Sequence, residues 1–150
     1  MFIGEYQHSL DNKARFIVPV KIREQLGDKA VITKGFDKCL FIYTLEEWHN
    51  IEKKLAILPF MDKKVRAFSR MFFSGAAEVE VDKQGRVLLP NNLREYAEII
   101  KDVVIMGVSN RIEVWGKESL AEYMSGIDDS YEDLAEEMLY FDNATKGGRD

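Results

Sequence analysis

One ten-residue pattern occurs twice in the chain. LDNKARFIVP spans Leu10–Pro19 and VDKQGRVLLP spans Val81–Pro90. An offset of 71 carries Asp11 onto Asp82, Arg15 onto Arg86 and Pro19 onto Pro90, and places Ile22, Arg23 and Glu24 on Leu93, Arg94 and Glu95. Within the motif Asn12 meets Lys83 and Lys13 meets Gln84. After one inserted residue the offset becomes 72: Val31 and Ile32 then meet Val103 and Val104, Gly35 meets Gly107, and Leu40, Ile42 and Tyr43 meet Ile112, Val114 and Trp115. A register held through two further apolar runs marks an internal duplication.

The duplication restricts the fold. Each copy begins with an alternating run (Tyr6, His8, Leu10; Ala77, Val79, Val81), the pattern of a strand with one buried face. A polar turn follows, DNKAR or DKQGR, then a short apolar strand, FIV or VLL. Proline suits the first turn of the short helix behind it, and Gly27 suits a helix end. Two more strands follow in each copy, AVITKG and CLFIYT, then VVIMG and RIEVWG. Thr44 to Glu47 has capping-box spacing, which predicts a helix from Leu45 to the region before Pro59. A second helix is predicted over MDKKVRAFSRMFF, and further helices over KESLAEYM and from Tyr131 to Phe141. The resulting division is repeat 1 at 5–47, a helical linker at 48–75, repeat 2 at 76–119 and an acidic helical segment at 120–150. A four-stranded unit of this size buries too little core alone. The fold class is therefore β-rich α+β, with the two copies interleaved or face to face about a pseudo-two-fold axis.

Charge distribution narrows the function. The 150 residues carry −5, which by itself argues against nucleic acid. From Lys117 to Asp150, however, ten acidic residues face three basic ones, and this −7 leaves residues 1–116 at +2. Between Asp11 and Lys34 six basic residues (Lys13, Arg15, Lys21, Arg23, Lys29, Lys34) outweigh three acids. The matching region of copy two holds Lys83, Arg86, Arg94 and Lys101.

Signals for catalysis are thin. His8 and His49 have no cysteine or histidine at ligand spacing, and no phosphate loop, nucleophile elbow or zinc-protease motif is present. No enzyme activity, cofactor, metal or small-molecule substrate is expected. Cys39, in CLFIY, reads as a buried free thiol of a reducing compartment. The N-terminus lacks a signal-peptide pattern and no window reaches membrane-span length, so a cytoplasmic protein is expected.

The basic turns carry the better case. A protruding turn or ribbon can enter the major groove, where arginine pairs bidentately with guanine and lysine neutralises phosphate. Arg15 and Arg86 are assigned to bases, Lys13 and Lys83 to phosphates or bases, and Asn12 and Gln84 to secondary polar contacts. Asp11 and Asp82, each four residues before its arginine, are assigned to orienting it. The competing reading is a protein-interaction scaffold, motivated by the acidic C-terminal segment and the apolar linker helix.

LDNKARFIVPVKIRE and VDKQGRVLLPNNLRE resemble the paired SpoVT-AbrB-type DNA-binding units of the MraZ family. The family marker, Asp-x-x-x-Arg once per half with an aliphatic run and a proline, is here Asp11 to Arg15 and Asp82 to Arg86; MFIGEY and the length are also similar. The resemblance implies a swapped-hairpin (AbrB-like) β-barrel built from both halves and a ring-like homo-oligomer. It implies a regulator of the bacterial cell-division and cell-wall gene cluster, associated with the nucleoid and bound to short direct repeats of promoter double-stranded DNA. An antitoxin-type regulator with a related barrel is less well matched, since such chains usually carry one copy. One departure is Ala14, where the family more often has the glycine that Gly85 retains.

Overall fold

The computed structural model describes the backbone of residues 1–147 and the side chains of residues 1–142. It divides into a body, Met1–Leu120, and a second unit from Ala121 onward.

Strands β1 (Glu5–Ser9) and β2 (Arg15–Ile17) flank the first turn, and helix α1 (Val20–Leu26) follows, with Pro19 as its N-cap and Gly27 as its C-cap. Strands β3 (Lys29–Lys34) and β4 (Leu40–Thr44) complete copy one. Copy two repeats the order with β5 (Ala77–Glu80), β6 (Arg86–Leu88), α4 (Asn91–Tyr96), β7 (Asp102–Val108) and β8 (Arg111–Gly116). Between them lie α2 (Leu45–Ala56) and α3 (Lys63–Ser74). The hydroxyl of Thr44 accepts from Glu47 N at 3.0 Å and caps α2, as its spacing predicts. Helix α3 is capped by the Asp62 carboxylate. In each repeat the proline stands one place earlier than expected, outside the helix, where its fixed φ leads the chain in.

The copies interleave. The main sheet runs β1-β7-β8-β4-β3-β5, so the first strand of each copy pairs with the third strand of the other. The second strands pair with each other as a separate ribbon, β2-β6. Both central pairings are self-consistent under the duplication. Phe16 faces its own equivalent, Val87. On β4 and β8, Leu40 faces Val114 and Ile42 faces Ile112, each the equivalent of the other's partner. A pseudo-two-fold axis therefore passes through the Phe16–Val87 and Phe41–Glu113 pairs.

Two expectations are to be set against the strand pairing. The swapped-hairpin barrel is not confirmed: among the described residues β1 and β5 remain the edges of the main sheet. After Leu10 and Val81 the chain turns out through the Asp-x-x-x-Arg loop, and the next strand is taken up by the ribbon rather than by an edge. The other expectation, the register, changes. Ser9 pairs with Asp102 and its equivalent Glu80 pairs with Lys29. Lys29 thus corresponds to Asp102, an offset of 73, and Val31 corresponds to Val104 rather than Val103. A slip of one would reverse every side chain on the strand, and the core confirms the longer offset. Ala30 and Ile32 share one apolar cluster with Val103 and Ile105, whereas Val104 packs in the other.

Those clusters lie on opposite faces of the sheet. On β4, Leu40 and Ile42 join the first, while Phe41 and Tyr43 join the second, and all four are buried. The first cluster is closed by Phe16 and Val87 of the ribbon with Ile22 and Leu93 of the short helices. The second is closed by α2 and α3, where Trp48 stacks on Phe72 at 5.2 Å between ring centres. The buried Thr33 hydroxyl donates to Phe72 O at 2.9 Å, tying β3 to α3. Helix α5 (Lys117–Ser125) begins in the body, and the second unit continues into α6 (Tyr131–Gly147). None of residues 121–142 is buried.

Candidate nucleic-acid interface

Each Asp-x-x-x-Arg turn is a closed hydrogen-bonded bracket. In the first, Asp11 N donates to Arg15 O at 2.9 Å and Ala14 N to Asp11 O at 3.0 Å. The Asp11 carboxylate fills the loop: Oδ1 accepts from Lys13 N and Arg15 N at 2.9 and 3.0 Å, and Oδ2 accepts from Arg15 Nε at 2.7 Å. The second turn repeats this set. Asp82 Oδ1 accepts from Gln84 N and Arg86 N at 2.9 and 2.8 Å, and Oδ2 from Arg86 Nε at 2.7 Å. The aspartate thus shapes the turn and fixes the arginine with one side chain, which explains the four-residue spacing. Both carboxylates are held below the ordinary aspartate range, first by the backbone N–H of the arginine and then by its guanidinium and by the N–H two residues on.

Each aspartate takes the Nε–H of its arginine, so the two terminal nitrogens of the guanidinium are not used by this contact and can serve a planar acceptor pair. The two arginines are close. On the ribbon Arg15 lies opposite Leu88 and Arg86 opposite Ile17, so they are diagonal neighbours on one face, about 7–8 Å apart. The ribbon is extended at both ends by Val18 N donating to Gly85 O at 2.8 Å and Leu89 N donating to Ala14 O at 2.9 Å. Each turn is therefore tied to the opposite copy.

The fourth residue of the turn must adopt a left-handed conformation: φ is +59° at Ala14 and +78° at Gly85. The departure at Ala14 is thus a strained position. At Gly85 the missing Cβ also makes room, since a Cβ there would lie 2.1 Å from the guanidinium of Arg23. Arg23 lies over the second turn and donates from Nη2 to Val18 O at 3.0 Å, with Nε buried and without a hydrogen-bond partner among the described residues. Its equivalent Arg94 cannot lie over Ala14 in the same way and donates instead to Asn91 Oδ1 at 3.4 Å.

Asn12, Lys13, Lys83 and Gln84 are all exposed at the tips of the turns. The structure places all eight assigned residues in two equivalent turns at opposite ends of one short ribbon. The aliphatic residues between the arginines, Ile17 and Leu88, were not singled out in the sequence, though both are exposed, at 46% and 55%. Their strand alternation with Phe16 and Val87 is the signal that finds them.

The model of the MraZ protein family matches twice, at residues 1–71 and 72–142. The chain belongs to the MraZ family. The spacing of the two matches is the 71-residue offset of the turns. Three similar curated proteins bear the name Transcriptional regulator MraZ: that of Acetivibrio thermocellus is 62% identical over 92% of this chain and 96% of its own. That of Caldanaerobacter subterraneus subsp. tengcongensis is 54% identical over 94% and 99%, and that of Desulforamulus reducens 55% over 93% and 98%. No helix among the described residues is long and apolar enough to cross a membrane. Cys39 is buried, as its setting predicts, and burial pushes its thiol up to about 12.

Proposed function

We propose that the chain is a sequence-specific double-stranded DNA-binding transcriptional regulator and that the β2-β6 ribbon with its two turns is the reading head. The observation that carries this is the pair of matching Asp-braced arginines on one face of a two-stranded antiparallel ribbon. Such a ribbon fits the major groove. Arg15 and Arg86 pair with guanine O6 and N7, and Asp11 and Asp82 hold them ready so that less side-chain freedom is lost on binding. Lys13 and Lys83 take phosphates, while Asn12 and Gln84 add polar contacts. With Lys13 opposite Gln84 and Asn12 opposite Lys83 under the two-fold, the two halves read similar but non-identical sequence.

The names of the relatives support a regulatory role. The family supports a cytoplasmic, nucleoid-associated protein acting on the cell-division and cell-wall gene cluster through short promoter repeats. One ribbon spans few base pairs, so a ring-like homo-oligomer would gain affinity by linking several weak readers on linked repeats. Selection of bound duplexes from a random pool tests the reading. Enrichment of a short guanine-containing repeat, with affinity falling steeply as salt rises, supports it. No enrichment, or a flat salt dependence, refutes it.

A further inference from the structure

The outer face of the ribbon carries four side chains, and only two of them are charged. Strand alternation sends Phe16 and Val87 inward, each 1% exposed, and leaves Arg15, Ile17, Arg86 and Leu88 outside. Ile17 and Leu88 are equivalents under the 71-residue offset and neither belongs to an apolar cluster of the body. Each stands directly across the ribbon from an arginine: Ile17 from Arg86 and Leu88 from Arg15. Facing side chains in such pairs are about 4.5–5.5 Å apart at Cβ. The register therefore sets two arginines and two branched aliphatic residues alternately at the corners of a small diamond.

We propose that Ile17 and Leu88 are specificity-determining residues that pack on the C5-methyl groups of thymines next to the guanines read by Arg15 and Arg86. This rests on the DNA-reading function above. In the major groove guanine presents acceptors, which suit arginine, and thymine presents a methyl group, which suits an exposed aliphatic side chain. The alternation on the ribbon matches a step in which these two base types are neighbours. The positive charge beside the aliphatic pair selects DNA over a second copy of the chain. A protein partner would have to desolvate two guanidiniums to cover two side chains, whereas DNA supplies acceptors and phosphates for them.

The test is a duplex selected by the protein from a random pool, then synthesised with thymine and again with deoxyuridine, which lacks the methyl group. Binding is measured for the natural chain and for the folded Ile17→Ser/Leu88→Ser variant. The natural chain should bind the deoxyuridine duplex about four-fold more weakly for each methyl buried, the factor corresponding to ~0.8 kcal/mol. The double variant should bind the thymine duplex more weakly and no longer distinguish the two. Equal binding of both duplexes by the natural chain overturns the proposal, as does a selected site without thymine beside guanine. Discrimination surviving in the variant, or a variant whose only change is a smaller sedimenting mass, also overturns it. Failure to enrich any duplex would instead refute the DNA-reading function itself, so the two failures are distinguishable.

Discussion

Gly85→Ala should destabilise the protein for two separable reasons, and its counterpart Ala14→Gly should do the opposite. At φ +78° a side chain is forced into the left-handed region, which costs roughly 1–2 kcal/mol. Replacing glycine recovers about 0.4–1 kcal/mol from the unfolded chain, so the backbone part comes to about 1 kcal/mol. The new Cβ also falls 2.1 Å from Arg23 Cζ and Nη2. Arg23 is flexible and swings out, giving up the 3.0 Å bond to Val18 O. A bond from a charged donor is worth ~1.5–3 kcal/mol, and hydration of the freed Nε returns part of that. The sum is a loss of about 2 kcal/mol. In an Arg23→Ala background only the backbone part remains, about 1 kcal/mol. Ala14→Gly, at φ +59°, should gain ~0.5–1 kcal/mol by relief of the same strain. Urea unfolding followed by fluorescence of Trp48 and Trp115 reads all three differences. Equal cost of Gly85→Ala with and without Arg23, or a destabilising Ala14→Gly, would show that Arg23 does not lie on the second turn or that the turns are not left-handed at this residue.

Other consequences follow from single contacts. Thr33→Val keeps volume but leaves Phe72 O without its donor in a buried site; a loss of ~1–3 kcal/mol is expected in the same unfolding assay. Phe16→Ala removes a side chain 1% exposed where the ribbon meets the core, and should cost about 3–5 kcal/mol by the same assay. Cys39, buried with its thiol raised to about 12, should resist alkylation at pH 8 in the native protein and react after unfolding, as mass spectrometry would show. The depressed Asp11 and Asp82 contribute stability that is fully present above the unfolded value of ~3.9 and lost as pH falls through the lower folded value. The amide signals of Lys13 and Gln84 should therefore stay unchanged between pH 8 and pH 5 and shift only in acid.

The duplication made much of this legible. Two copies of Asp-x-x-x-Arg, each followed by an apolar triplet and a proline, fixed the order of elements and placed the candidate residues in two equivalent turns. What alternation could not decide was which strand each first strand pairs with, because pairing across copies depends on long-range contacts that no local pattern encodes. The register of β3 against β7 failed for a similar reason. Val-Val at 103–104 and Val-Ile at 31–32 align by residue type, but the helix-to-strand connection is longer by two in copy two, and only the buried faces of Ala30 and Val103 show it. The left-handed conformation at Ala14 was open in the sequence because alanine does not announce it; Gly85 in the other copy did. Ile17 and Leu88 read as ordinary strand residues until the ribbon showed that their face is open.

The central claim is that two Asp-held arginines on the ribbon read DNA. It is tested most directly by Arg15→Ala/Arg86→Ala, shown by circular dichroism to be folded, titrated by fluorescence anisotropy against the selected duplex and a scrambled one. Each lost bidentate contact should cost ~1–3 kcal/mol, so with both removed affinity for the selected duplex should fall at least about thirty-fold and approach that for the scrambled one. Unchanged preference for the selected duplex in the folded double variant would contradict the account.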